Sequence, residues 1–298
     1  MASLASRLIP LFPSVRNEKR RFRDPEAMRT AIAAEHLRPT RFAPPSRLDG
    51  AVDVAIRWRG SWAIYEVIPR RGAPTGDALY LHGGAYIYEI SSIHWNLIAR
   101  LASATSTRFT VPIYPLAPRA TAADVVPAAT DITADLMRKV GADRLALMGD
   151  SAGGGMALAV ALQLRDRGLP APRHTVLISP WLDVSMSDLG IRDLDRVDPI
   201  LAPAGLTVAA SLYSGTLDER DPMVSPIHGD LRDLGPITMF SGTHDILNAD
   251  ARRFAHLATE AGLSLDYHEA PGMMHVYPLL PMPEGERARK AIEQVLRG

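Results

Sequence analysis

An apolar run at 144–148, RLALM, ends in GDSAG at 149–153. A strand that runs into G-x-S-x-G has the form of a nucleophile elbow, with a serine on a sharp turn between strand and helix. Such a turn strains the serine backbone and needs small neighbours, which Gly149 and Gly153 supply. Ser151 is therefore the candidate nucleophile. The helix that the elbow requires follows directly: 152–167 is rich in Ala, Leu, Met and Gln and stops at Gly168, ahead of Pro170.

Five-residue patterns of this kind also arise by chance, so the flanks decide. Upstream, DALYL at 77–81 reads as a short buried strand and runs straight into HGGAY at 82–86, the form of an oxyanion loop. Together, HGGAY and GDSAGG make the chain resemble the hormone-sensitive-lipase-like branch of the α/β-hydrolase fold, the bacterial esterases with an H-G-G-x-[WY] loop. The resemblance implies an α/β fold with a mostly parallel central sheet flanked by helices, and a helical cap over the active site. YPLAP at 114–118 matches a further motif of that family, whereas Gly155 stands where many relatives carry Asn.

At 298 residues the chain has room for one catalytic domain with a modest cap. Hydrophobic residues make up 47% and charged residues 22%, as in an ordinary globular protein. The 33 basic residues balance the 33 acidic ones, which leaves no electrostatic case for nucleic acid as a partner. Cysteine is absent, which excludes disulfides, thiolate metal sites and a cysteine nucleophile. No HExxH, EF-hand, Walker or dinucleotide fingerprint occurs, so no metal or cofactor is implied. No apolar run is long enough to span a bilayer, and Arg7 and Pro10 interrupt the place where a secretory signal needs its apolar core. A cytoplasmic location is the expectation. Basic residues crowd 16–23 and stay frequent as far as Arg47; this reads more readily as the solvated face of a cap helix than as a membrane-surface contact.

Along the chain, 51–58 and 61–68 read as a hairpin about Arg59-Gly60. The segments 92–104 and 122–140 have helical spacing, and 108–114 and 174–179 read as strands. The alternation implies a parallel sheet with right-handed crossovers, and 185–214 breaks it. Strand 236–241, helix 249–261, strand 263–269 and helix 284–296 complete the chain. Prolines at 39, 44 and 45 mark the edge of the first segment. The expected organisation is a cap segment at 1–47, a core at 48–184 and 216–298, and a second cap segment at 185–215.

A serine hydroxyl needs a base to take its proton and a third group to orient that base. The family order is Ser, then an acid, then His. Asp245 and His275 each follow a strand, where α/β folds deliver loops beside the elbow. They match the family pattern as orienting acid and base, with Asp183 as the runner-up acid. His256 and His268 fall within regular elements, and His244 adjoins Asp245 out of order. Backbone N–H groups of Gly83, Gly84 and Ala152 are the candidate oxyanion donors. His82, Tyr86 and Asp150 are expected to shape that loop. Leu8, Ile9, Phe12, Leu206, Val208, Leu212 and Tyr213 are candidate liners of an acyl pocket.

The chain thus reads as a serine carboxylesterase acting on small-molecule esters with short to medium acyl chains. A hydrolase of amides, lactones or acetylated metabolites is the alternative with the same triad. A ligand-binding member without turnover is disfavoured because all three triad positions are filled. The resemblance also implies the possibility of a homodimer through an edge strand.

Overall fold

The computed structural model describes residues 3–46, 48 and 50–298. Three helices come first, α1 (Leu4–Leu8), α2 (Pro13–Arg23) and α3 (Pro25–Leu37), and then a hairpin of β1 (Val52–Arg59) and β2 (Trp62–Pro69). Strands and helices alternate from there through β3 (Gly76–Leu81), α4 (Ser92–Thr105), β4 (Thr107–Ile113), α5 (Ala122–Val140), β5 (Leu145–Asp150), α6 (Ser151–Asp166) and β6 (His174–Ile178). The alternation breaks for α7 (Ile191–Leu194) and α8 (Pro203–Ser214). It resumes with β7 (Ile237–His244), α9 (Asn248–Glu260), β8 (Leu265–Met274) and α10 (Pro283–Arg297). The hairpin turn falls one residue later than expected: Arg59 still pairs with Trp62, and Gly60 and Ser61 make the corner.

Among the described residues, eight strands form one sheet in the order β1-β2-β4-β3-β5-β6-β7-β8. β1, β2 and β4 pair antiparallel, and the remaining neighbours run parallel. With β4 on one flank of β3 and β5 on the other, the chain reverses its direction of travel at β3. The loops leaving β3 and β5 diverge there and open a crevice at the carboxyl ends of the strands. Leu81, the last residue of β3, lies opposite Gly149 of β5. HGGAY and the elbow are neighbours for that reason, although 66 residues lie between His82 and Gly149.

Both faces of β5 are buried, so it reads as an unbroken apolar run. Leu145 and Leu147 join the cluster beneath α5 and α6, while Ala146 and Met148 join the one beneath α4 and α10. Helix α6 comes close enough to the crevice that a Cβ on Gly153 would lie 2.1 Å from the Leu81 carbonyl oxygen. The departure at Gly155 has a similar cause, since a Cβ there would lie 2.1 Å from the carbonyl oxygen of Trp181.

Helices α2 and α3 pack on each other and on α8, so helices from both expected cap segments meet. Phe22 of α2 seats against Gly205 of α8. Buried Lys19 donates from Nζ to the Asp195 carboxylate at 2.6 Å, to the Asp195 carbonyl at 3.0 Å and to the Leu201 carbonyl. Ser3 fastens α1 to α10 through two bonds to Glu284, at 2.7 and 2.8 Å. Arg47, where the first cap segment is expected to end, lies outside the described residues. No described helix is long and apolar enough to cross a membrane.

Candidate active site

Ser151 sits at the β5–α6 junction with φ of 52°, a left-handed conformation that costs a non-glycine residue free energy and lifts its side chain out of the turn. Its Oγ lies 2.9 Å from His275 Nε2, and His275 Nδ1 lies 2.8 Å from Asp245 Oδ2. All three side chains are buried. Asp245 Oδ1 also accepts the Leu247 N–H at 3.0 Å. A carboxylate against Nδ1 holds the proton on that nitrogen, so Nε2 is the acceptor that faces the serine hydroxyl. Burial would lower the pKa of His275. The charge and hydrogen bond of Asp245, with smaller contributions from Asp198 and Asp150, outweigh it and raise the imidazole above its ordinary value.

The other candidates fall elsewhere. Asp183 is committed to Ser185 Oγ at 2.6 Å and Arg253 Nη1 at 3.0 Å, with His228 at 3.4 Å. Burial would raise its pKa, but the Ser185 bonds, the His228 charge and the Arg253 bond hold it below the usual carboxylate value. His256 approaches Glu260, His268 bonds Asp266 and stacks on Phe240, and His244 is exposed.

The oxyanion loop requires a correction. The Gly83 N–H donates to Asp150 Oδ1 at 2.9 Å and is therefore not free for a substrate. Gly84 and Ala85 have N–H groups that meet no acceptor among the described residues. Ala152, second in α6, has an N–H that a helix start leaves without an intrahelical partner. The free set is thus Gly84, Ala85 and Ala152. Ala85 adopts φ of 51°, a conformation that local sequence favours for glycine and does not announce for alanine.

Asp150 anchors the loop from below, accepting also from Tyr80 Oη at 2.7 Å and facing His94 Nε2 at 3.2 Å. Burial would raise its pKa; His94, Tyr80 and the Gly83 N–H together lower it. His82 donates from Nδ1 to the Gly83 carbonyl at 2.7 Å and stacks on Tyr114 at 4.3 Å. Burial and then His94 push its pKa down to about 4, so it is a neutral spacer at physiological pH. Tyr86 stacks on Tyr213 of α8 at 3.5 Å and joins the loop to α8.

Three positioning residues escaped the sequence. His94 occupies the acceptor position of a capping box with Ser91, which gives it a local signal. Ser179 Oγ accepts the Val276 N–H at 3.0 Å and holds the chain just beyond His275. Asp198, from the insertion before β7, accepts the Ile246 N–H at 2.9 Å, next to Asp245. Ser179 belongs to no local pattern, and Asp198 reads locally only as the residue that closes a turn onto the Ile200 and Leu201 N–H groups. Of the expected acyl-pocket liners, Val208 and Leu212 line a cavity of about 700 Å³ between α3 and α8, together with Ile32, Ala33 and Leu37, but none of the triad or oxyanion residues belongs to its lining. Leu8 and Phe12 are exposed instead, while Ala5 and Ile9 pack on the cluster beneath α10. Among the described residues no group of three or more side chains is placed to hold a metal ion.

A strained serine at the topological switch point of a mostly parallel sheet, within reach of an imidazole delivered after the last strand, is the architecture of an α/β-hydrolase. A family model described as alpha/beta hydrolase fold matches residues 78–279. An acetyl-hydrolase of Streptomyces hygroscopicus is 34% identical over 226 residues, 74% of each chain. A triacylglycerol lipase of Mycobacterium tuberculosis is 31% identical over 242 residues, 80% of this chain but only 50% of that protein. The crystal structure of a hormone-sensitive lipase from a metagenome library superposes with a TM-score of 0.80 at 26% identity, covering 92% of this chain and 97% of that one. The chain belongs to the α/β-hydrolase family, in its hormone-sensitive-lipase-like esterase branch.

Proposed function

We propose that this carboxylic ester hydrolase is a serine carboxylesterase, cleaving short- to medium-chain acyl esters through an acyl-enzyme formed on Ser151. The observation that carries the assignment is the continuous chain from Ser151 Oγ through His275 to Asp245, with contacts of 2.9 and 2.8 Å. Oγ attacks the ester carbonyl carbon while His275 Nε2 takes the hydroxyl proton, and the carbonyl electron pair moves onto oxygen. Gly84, Ala85 and Ala152 N–H groups point at that developing charge; each such donor is worth about two to three orders of magnitude in rate. Collapse of the intermediate breaks the bond to the alcohol, which leaves with the proton from Nε2. Water then attacks the acyl-enzyme, His275 takes its proton, and a second collapse returns that proton to Ser151 and frees the acid. Helices α2, α3 and α8 serve as the cap over this site.

A fluorophosphonate probe should add one adduct per chain, on Ser151. Ser151→Ala should keep the fold and lower kcat by about six orders of magnitude, as in serine proteases without their nucleophile. Near-normal ester cleavage by that variant would refute the mechanism. The name of the Streptomyces relative favours the acetyl group as acyl donor. A chain-length series of chromogenic esters, run beside N-acetyl amides, tests that preference and separates ester from amide hydrolysis.

A further inference from the structure

The outward side of the first two helices carries exposed apolar side chains beside arginines that have no acidic partner among the described residues; the outer face of β1 is also apolar, with Val54, Ile56 and Trp58 exposed, but its Arg57 and Arg59 are paired with Glu66 and Asp135. Over residues 4–12, Ala5 and Ile9 pack inward on the cluster beneath α10. Leu4 and Leu8 of α1, Leu11 of the turn after it and Phe12, in extended backbone before α2, point outward, exposed by 72, 47, 62 and 55%. In α2, Lys19 and Phe22 are buried, while Arg16, Arg20 and Arg23 fall on its outer face. Arg21 pairs with Glu18 and Lys19 with Asp195, whereas Arg7, Arg16, Arg20 and Arg23 form no ion pair among the described residues. An apolar group therefore adjoins a cationic stripe in a chain whose formal net charge is zero.

Single exposed leucines are ordinary, but a contiguous group marks a surface that is covered in use. The charge selects what covers it. A second copy related by a two-fold axis would set this cationic face against itself, an arrangement that like charges oppose. An anionic bilayer accepts both halves, with apolar side chains sinking into the headgroup–acyl boundary and arginines meeting acidic headgroups. We propose that α1, the turn after it and the outer stripe of α2 form a docking face for an anionic lipid surface. The face lies on the cap: Phe22 of α2 seats on α8, whose Tyr213 stacks on Tyr86 of the loop after β3. Docking would thus bring the cap to the layer where acyl esters partition. Charge alone, as read from the sequence, favoured a solvated helix; the outward leucines change the balance.

The test is sedimentation of the full chain with vesicles of diether phosphatidylglycerol and diether phosphatidylcholine, which contain no carboxylic ester to consume and so separate binding from hydrolysis. Binding should require phosphatidylglycerol and weaken as salt rises. The triple variant Leu8→Ser, Leu11→Ser, Phe12→Ser should lose at least tenfold in partitioning. The variant Arg16→Gln, Arg20→Gln, Arg23→Gln should lose on the order of a hundredfold on anionic vesicles, each arginine being worth about fivefold there. Both variants should turn over a water-soluble acetyl ester at the parent rate, which also reports that they fold. The proposal is overturned by equal binding to both lipids, by variants that bind like the parent, or by a dimer that the apolar variant converts to monomer.

Discussion

Burial alone would lower the pKa of His275, yet the Asp245 carboxylate raises it above the ordinary imidazole value. The base works unprotonated, so kcat/KM should rise with pH through a midpoint above 6.5, the ordinary histidine value. Asp245→Asn removes the largest raising influence and leaves the burial. Its midpoint should move to lower pH while kcat falls by about four orders of magnitude, as when a triad loses its orienting acid. A pH series of kcat/KM on both proteins decides, and an unmoved or raised midpoint in the variant would sink the assignment of Asp245. Asp198 is the subtler case, because burial and then the charge of Asp245 push its own pKa up to about 6. Its carboxylate accepts the N–H groups of Ile200, Leu201 and Ile246. Asp198→Asn can keep the first two bonds but turns an amide N–H₂ toward the third donor. That mismatch should cost about 1–3 kcal/mol in stability and shift the His275 midpoint downward. An Asp198→Asn enzyme with parent stability and an unmoved pH profile would show that Asp198 only closes a turn.

Which elements exist was legible in the sequence, and their limits followed wherever local chemistry sets them. Helix α5 spans the expected 122–140 because Thr121 and Asp124 close a capping box at its start, and it continues through Pro127, its sixth residue, although the proline forgoes the bond to the Ala123 carbonyl. Strand β8 runs on to Met274, past the expected end at 269. Pro271-Gly272 reads locally as punctuation, whereas pairing with β7 through an irregularity at Gly242 and His244 carries the strand across it. The exchange of Gly83 for Ala85 in the oxyanion set has the same origin. Only the long-range bond to Asp150 shows that the first glycine's amide is already taken. Lys19, too, reads as one charge in a basic run until α2 docks and buries it against Asp195 and Leu201. Lys19→Met strands the Leu201 carbonyl and should cost about 1–3 kcal/mol. Urea melts should show a lower midpoint with the slope unchanged. A midpoint equal to the parent's would mean that Phe22 and its neighbours hold the two cap segments together without the lysine.

The site is a property of the whole sheet, since its groups leave the carboxyl ends of β3, β5, β7 and β8, and no contiguous segment contains it. Assembly depends on the reversal at β3, which no local pattern announces, so the sequence could name Ser151, Asp245 and His275 but not the strand order that unites them. The cap stands apart energetically. Strands β3 and β5 are buried along their full length, whereas over residues 3–46 the buried hydrophobic side chains are Phe22, Met28 and Ile32. Segments with few buried apolar contacts open at free energies well below global unfolding. Native-state hydrogen exchange should therefore find α2 and α3 amides exchanging through a partial opening that leaves β3, β5 and α6 protected. Because the triad and its amides belong to the protected part, that opening should expose the site without dismantling it. Low urea should then release the cap amides before a fluorophosphonate loses its reaction with Ser151. Cap and core-strand amides exchanging at one common free energy would mean that α8 and the Lys19 bonds to Asp195 and Leu201 bind the cap into a single cooperative unit, and the partial opening would have no place in turnover.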